Sequence, residues 1–213
     1  MDRVAVDIVL LPDRSTTELA VDLNRELVAQ YSSPIVLEET MCRPHVSLAM
    51  GCLRLADVEV VSQRMETIAN ENPMGEILIS GIVTTLNAEG QHISSLALVK
   101  TREIQALHER VTNEMAPYIG YDVTPEMIYD DGPVAETTLT WIRTFREKSS
   151  FGAFFPHITL GYGMVATQLT FPMHATAAQL ALCHLGNHCT CRKVLFQTSV
   201  PLSRTVHPPV NER

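Results

Sequence analysis

Two nine-residue segments of this 213-residue chain match each other, and they constrain its fold more than any other feature. Residues 43–51 read RPHVSLAMG and residues 155–163 read FPHITLGYG, so Pro, His, Leu and Gly occupy the same four places. Ser47 of the first segment matches Thr159 of the second, which keeps a hydroxyl at that place. Because one segment lies in each half of the chain, we predict two structurally related halves.

Hydrophobic periodicity gives an order of elements that nearly repeats in the two halves. We predict helices over about 16–31, 58–72, 102–115 and 136–148, and strands over 4–11, 35–39, 43–53, 77–86, 93–100, 155–163, 178–185 and 193–200. Ser15 or Thr16 is expected to cap the first helix and Thr101 the third. This order predicts an α+β fold, with helices on one side of mostly antiparallel sheets.

Side chains alternate between the two faces of a strand, so each segment presents an imidazole and a hydroxyl together. His45 and Ser47 point one way along their strand, as do His157 and Thr159 along theirs. A single histidine on a strand is more often a structural residue than a catalytic one. Two copies with matching flanks favour the catalytic interpretation.

If a pseudo-twofold axis relates the halves, both imidazoles and both hydroxyls converge on one cleft. Cleavage of a phosphodiester needs such a set of groups. One imidazole removes a proton from the attacking water or hydroxyl and the other protonates the departing oxygen, because the histidine pKa lies near neutrality. Ser47 and Thr159 can donate hydrogen bonds to the phosphate oxygens as charge grows there. This chemistry requires neither a metal nor a cofactor.

PHVSLAMG and PHITLGYG resemble the paired His-x-Ser/Thr signatures of the 2H phosphoesterase superfamily, which includes RNA 2′,3′-cyclic phosphodiesterases, also called 2′-5′ RNA ligases. The resemblance implies a bilobal α+β fold, with two duplicated, mostly antiparallel sheets and outer helices around a central cleft, and a single bilobal domain over residues 1–213. It also implies that His45 and His157 are the catalytic pair and that Ser47 and Thr159 bind phosphate. The expected substrate is a 2′,3′-cyclic phosphate or a 2′,5′-linked nucleotide or RNA end. The alternative is a non-catalytic nucleotide-binding module on the same fold.

Three neighbouring side chains are candidates for substrate binding. Arg43 precedes the first motif and could help to neutralise phosphate, or it could be a solvated arginine at a strand end. Phe155, its counterpart, could stack on a base, although core packing is the commoner fate of an aromatic residue. Tyr162 stands an odd step from His157, so it should face the core unless the strand breaks at Gly161.

Charge and hydropathy limit the partners. A formal net charge of −8 argues against extended binding of DNA or RNA, which usually requires a basic face. It permits a small nucleotide or an RNA terminus held by a few local donors. The sequence has no segment apolar enough to span a bilayer, so we expect a cytoplasmic monomer with no membrane partner.

Five cysteines in a chain of this length do not suggest a disulfide framework, and we expect all of them to be reduced. A cluster near the C-terminus raises the alternative of a zinc site; its members are Cys183, His184, His188, Cys189 and Cys191. Their spacing matches no usual zinc motif, and alternating burial in a hairpin explains them better. No role is assigned to His92, His108, His174 and His207.

Overall fold

Seven strands and four α-helices follow one another in the computed structural model, which describes residues 2–87, 89–129 and 132–202. They are β1 Arg3–Pro12, α1 Arg14–Tyr31, β2 Val46–Arg54, α2 Val58–Glu71, β3 Glu76–Leu86, β4 His92–Leu98, α3 Arg102–Met115, α4 Glu136–Lys148, β5 His157–Tyr162, β6 Met173–Leu185 and β7 Cys191–Ser199. All four helices and all seven strands lie where the sequence predicts them, and an eighth predicted strand, over 35–39, does not form.

Every strand pairing in the sheet is antiparallel, and the predicted α+β class is confirmed. The strand order is β2-β1-β6-β3-β4-β5, with β7 on β6. The two expected sheets are joined because β6 is long: its first residues pair with β3, and the residues from Ala177 onward pair with β1. The description of residues 1–213 as one bilobal domain stays a prediction.

The core lies on both faces of β1, which explains why apolar residues occur there at successive positions instead of alternating with polar ones. Val4, Val6, Ile8 and Leu10 join the main core with buried residues of α1, α2 and α3. On the other face, Ala5 packs with buried side chains of α4. The expectation that all helices lie on one side of the sheet is therefore wrong for α4. Its Leu139, Ile142 and Phe145 form the apolar stripe that the sequence shows.

Two local predictions are wrong: the residue that caps α1, and the strand expected after this helix. Asp13, rather than Ser15 or Thr16, caps α1, and its carboxylate accepts a hydrogen bond from the Thr16 N–H at 2.9 Å. A carboxylate at this position also suits the positive end of the helix dipole. No strand forms over 35–39, because the backbone of Ile35 and Leu37 bonds to the Asn24 side chain of α1 instead of to another strand. Thr101 caps α3 as predicted.

The expectation that all five cysteines are reduced is also wrong. Cys183 on β6 and Cys191 on β7 form a disulfide, while Cys42, Cys52 and Cys189 are free. The two bonded residues stand close together because they belong to neighbouring strands joined by a short turn. None of the helices in the described part of the chain has the length and apolarity needed to cross a membrane.

Candidate active site

A β-bulge occurs at the same place in both nonapeptides. In the β1–β2 ladder, Ser47 pairs with Val9 and Ala49 with Ile8, which leaves Leu48 as the extra residue. In the β4–β5 ladder, Thr159 pairs with Ser95 and Gly161 with Ser94, which leaves Leu160 as the extra residue. The duplication seen in the sequence therefore extends to an irregularity of the backbone, since a bulge inserts one residue and shifts the alternation of faces.

The second bulge decides where Tyr162 points. Gly161 has φ +142°, a conformation that favours glycine, and the regular alternation of β5 breaks there. Tyr162 then lies opposite Ile93, on the same face of the sheet as His157 and Thr159. Its hydroxyl reaches the Nδ1 atom of His188 at 3.2 Å, in the turn between β6 and β7. The sequence had placed Tyr162 on the core side unless such a break occurred.

The two motif histidines are held in the same way. Nδ1 of His45 lies 2.7 Å from the carbonyl oxygen of Arg43, and Nδ1 of His157 lies 2.8 Å from that of Phe155. A carbonyl oxygen can only accept, so each Nδ1–H donates, and in the neutral ring Nε2 carries the free lone pair. Both imidazoles are thus fixed in the tautomer that a general base needs, and each is fixed by the residue two positions before it.

The structure brings these two imidazoles near each other. β2 and β5 end the strand order on opposite sides, yet Cα atoms of the two strands come within 8 Å. Burial lowers the pKa of His45, and the nearby charge of His157 lowers it further. Burial also lowers the pKa of His157. The lone pairs on both Nε2 atoms therefore persist to a more acidic pH than in a solvated histidine.

The two motif hydroxyls have different surroundings. Ser47 Oγ lies 2.5 Å from the Oδ2 atom of Asp7, a fully buried residue of β1. Asp7 stands opposite Met50, the residue that corresponds to Tyr162 in the other motif. The residue opposite Tyr162 is Ile93, which offers no polar group to Thr159. The two motifs therefore share their backbone geometry, but among the described residues only the first has a buried carboxyl, that of Asp7, next to its hydroxyl.

A buried asparagine supports the second motif from the helix of the opposite half. Asn24 on α1 donates to the carbonyl of Leu160, the bulged residue of β5, at 2.7 Å. The same amide donates to Ile35 O at 2.8 Å and accepts from the Leu37 N–H at 2.8 Å. Asn24 thus connects the bulge of one motif to the segment that leads into the other.

A buried histidine supports the first motif in the same manner. His108 on α3 donates from Nδ1 to the carbonyl of Leu48, the bulged residue of β2, at 2.7 Å. Its Nε2 accepts from the Phe151 N–H at 2.7 Å, and its ring stacks on Phe154 at 4.0 Å, just before the second motif. No role for His108 was expected from the sequence; the structure gives it a structural one.

Of the side chains proposed for substrate binding, Phe155 lies beside a motif imidazole. The ring of Phe155 is half exposed and lies 5.5 Å from the ring of His157 at an interplanar angle of 23°. Arg43 is partly exposed, and its guanidinium lies 3.3 Å from Gln197 Oε1. An aromatic surface thus flanks His157, whereas the guanidinium of Arg43 contacts a side chain of β7.

Members of the cysteine and histidine cluster near the C-terminus form bonds to other groups instead of a metal site. Cys183 and Cys191 are bonded to each other, His184 Nε2 lies 2.9 Å from Met127 O, and His188 bonds Tyr162. Within residues 2–87, 89–129 and 132–202, no three His, Cys, Asp or Glu side chains are grouped to hold a metal ion. His207 lies outside the described residues.

Sequence reasoning missed Asp7, Asn24 and His108. Asp7 is the one charge inside the apolar run 4–11, and Asn24 lies on the apolar stripe of α1 between Leu23 and Leu27. His108 likewise follows Leu107 on the buried face of α3. A polar residue at a core position requires a hydrogen-bond partner, so this mismatch is the signal that could have identified all three.

The sequence matches no protein-family model and no curated protein. Two solved structures are similar to this chain over nearly their whole lengths. LigT of E. coli in its apo form is 10% identical, with 94% of this chain and 99% of LigT covered and a TM-score of 0.49. A protein described as a phosphoesterase is 11% identical, with 94% and 99% covered and a TM-score of 0.43.

Proposed function

We propose that this chain is a phosphodiesterase in which His45 and His157 act as the general acid and general base without a metal. The substrate is a 2′,3′-cyclic phosphate or a 2′,5′-linked phosphodiester on a small nucleotide or an RNA end. Ser47 and Thr159 bind the non-bridging phosphate oxygens. Arg43, Phe155 and Tyr162 border the bound nucleotide.

One observation carries the proposal: two neighbouring imidazoles are each locked through Nδ1 to the carbonyl two residues earlier. This arrangement leaves two Nε2 atoms for proton transfer. A structural histidine that is buried normally uses both ring nitrogens, as His108 does. Within the part of the chain that the structure describes, His45 and His157 each hydrogen-bond through Nδ1 alone, which is what a proton-transfer role at Nε2 requires.

The proton balance of the reaction uses both imidazoles. A neutral imidazole takes the proton of the attacking water as its oxygen bonds to phosphorus. The second imidazole, protonated at the start, gives its proton to the departing ribose oxygen as the P–O bond breaks. The reaction ends with the two protonation states exchanged, and a transfer through solvent restores them. Either histidine can take either role in a near-symmetric pair.

Charge and exposure favour a small substrate. The chain carries a net charge of −8, so long-range attraction of a polyanion is unfavourable, and local groups must hold the phosphate. The exposed ring of Phe155 beside His157 can stack on a nucleobase, a contact worth about 1–3 kcal/mol. Arg43 can balance part of the phosphate charge next to His45.

The test is a substrate panel in EDTA, analysed by mass spectrometry. It contains 2′,3′-cyclic mononucleotides, a 2′,5′-oligoadenylate and an ADP-ribose cyclic phosphate. We expect hydrolysis of at least one class, unaffected by EDTA and lowered by about 100-fold or more in the His45→Ala/His157→Ala double variant. Tight nucleotide binding without turnover would instead identify a binding module, and loss of activity in EDTA would contradict the metal-free mechanism.

A further inference from the structure

Asp7 lies beneath the first motif, in the middle of the sheet. It belongs to β1 and stands opposite Met50 on β2 and Cys183 on β6. Because the bulge at Leu48 shifts the alternation of β2, Ser47 lies on the same face of the sheet as Met50. The Asp7 side chain therefore approaches Ser47, and no part of it is exposed to solvent.

The contacts of this carboxyl do not fit an ordinary ion pair. Oδ2 lies 2.5 Å from Ser47 Oγ and 3.8 Å from His45 Nε2, and Oδ1 is buried with no hydrogen-bond partner among the described residues. An ionised carboxylate removed from water needs a cation or several donors to offset the loss of solvation. A carboxyl that keeps its proton needs neither and gains a donor.

Among the described residues, no group around Asp7 places a cation within hydrogen-bond distance of the carboxyl, since His45 Nε2 stays 3.8 Å away. On the β2 side stand Ser47 and the His45 imidazole. Burial lowers the pKa of that imidazole, and the charge of His157 lowers it further. On the β6 side, Cys183 is in the disulfide and does not titrate. The Cys189 thiol comes from the turn before β7, and burial raises its pKa, so this group supplies no cation either. Burial likewise raises the pKa of Asp7 well above its usual range.

We propose that Asp7 is a positioning residue that keeps its proton and donates it in a hydrogen bond to the oxygen of Ser47. The Ser47 hydroxyl hydrogen is then directed at a phosphate oxygen of the substrate. A serine hydroxyl has a single hydrogen, and an ionised Asp7 would occupy it as an acceptor. With Asp7 protonated, the Ser47 oxygen accepts a hydrogen bond from the carboxyl, and the Ser47 hydroxyl donates one to the phosphate. No proton is transferred between the two residues. The role in phosphate binding rests on the proposed function.

Two variants of Asp7 separate a neutral donor from a fixed charge. Asp7→Asn keeps a donor of the same shape, so we expect kcat within about threefold of the wild type. Asp7→Leu removes the donor, and we expect a loss of about 10- to 100-fold, similar to that of Ser47→Ala and below the largest effects of single donors. Asp7→Leu should add little further loss in the Ser47→Ala background, because both act through one hydroxyl.

The matched control is Asp22→Asn, which makes the same change at an exposed carboxylate of α1. If Asp7→Asn loses as much activity as Asp7→Leu, the carboxyl acts as a charge and the proposal is overturned. The same conclusion follows if Asp7→Leu is as active as the wild type. Because Asp7→Leu can affect folding, circular dichroism accompanies each assay, and the conservative Asp7→Asn variant decides between the two roles.

A second measurement does not depend on catalysis. Infrared spectroscopy at neutral pH should show the C=O band of a protonated carboxyl in the wild type, and Asp7→Asn should lack it. Absence of this band from the wild type overturns the proposal even if the protein is active. A wild type that hydrolyses no phosphodiester refutes the proposed function instead, and the band still decides whether Asp7 holds its proton.

Discussion

Asn24 and His108 hold the two bulges in the same way, each from the helix of the opposite half. The Asn24 amide bonds the carbonyl of Leu160, and the His108 ring bonds that of Leu48. α1 packs on β5 and α3 packs on β2, so each half of the duplicated chain supports the motif of the other. The two motifs are therefore positioned by one another's helices, which explains how segments far apart in sequence can share one site.

Loss of the Asn24 amide should destabilise the protein strongly. Asn24→Leu leaves Ile35 O, Leu160 O and Leu37 N without their partner in a fully buried place. Each unpaired buried group costs about 1–3 kcal/mol, so we expect a loss of roughly 3 kcal/mol or more in the free energy of unfolding. Urea unfolding measures it. Asn113→Leu, at an exposed site of α3, is the control and should change the free energy by less than about 0.5 kcal/mol.

Local patterns predicted the elements and the pair of motifs because alternation and helical periodicity are local properties. They did not predict which groups meet. Asp7 reaches Ser47 only through the register of β1 on β2, and Asn24 reaches Leu160 only because α1 packs on β5. The orientation of Tyr162 depends on the bulge at Leu160, next to Gly161, which regular alternation cannot show. What sequence missed in the site is therefore non-local.

Removal of either motif imidazole should abolish most turnover. We expect His45→Ala and His157→Ala each to lower kcat by about 100-fold or more, because general acid–base help contributes about 10²–10⁴-fold. The double variant should lose little more than the worse single variant, since the two groups act in one step. Steady-state assays on the best substrate of the panel measure these changes.

His174→Ala is the control for this series, because it removes an exposed imidazole that pairs with Glu76 at the start of β6. It should retain full activity. Wild-type rates in either motif variant would eliminate the proposed mechanism, provided that circular dichroism shows the variants to be folded.

The pH profile should be displaced to the acid side. Burial lowers the pKa values of both His45 and His157, and the charge of His157 adds to the effect at His45. Activity rises with pH as the base loses its proton and falls as the acid loses its own. Because both pKa values are lowered, the rising and the falling part of the profile both shift to lower pH. We expect kcat/KM, which reports the free enzyme, to follow a bell with its maximum below the usual histidine pKa of about 6.5. A maximum above about pH 7 would contradict this assignment.

A methyl group at residue 161 should disturb the second motif. Gly161 has φ +142°, and an added Cβ would lie 2.7 Å from Ser33 Oγ and 3.1 Å from Asn24 Nδ2. Both the backbone conformation and the contact with the Asn24 amide oppose the change, so Gly161→Ala should lower the free energy of unfolding by about 2 kcal/mol or more. Gly81→Ala is the control because a Cβ there meets nothing within 4 Å. If the two variants unfold at the same urea concentration, the bulge does not constrain residue 161, and its role in orienting Tyr162 fails with it.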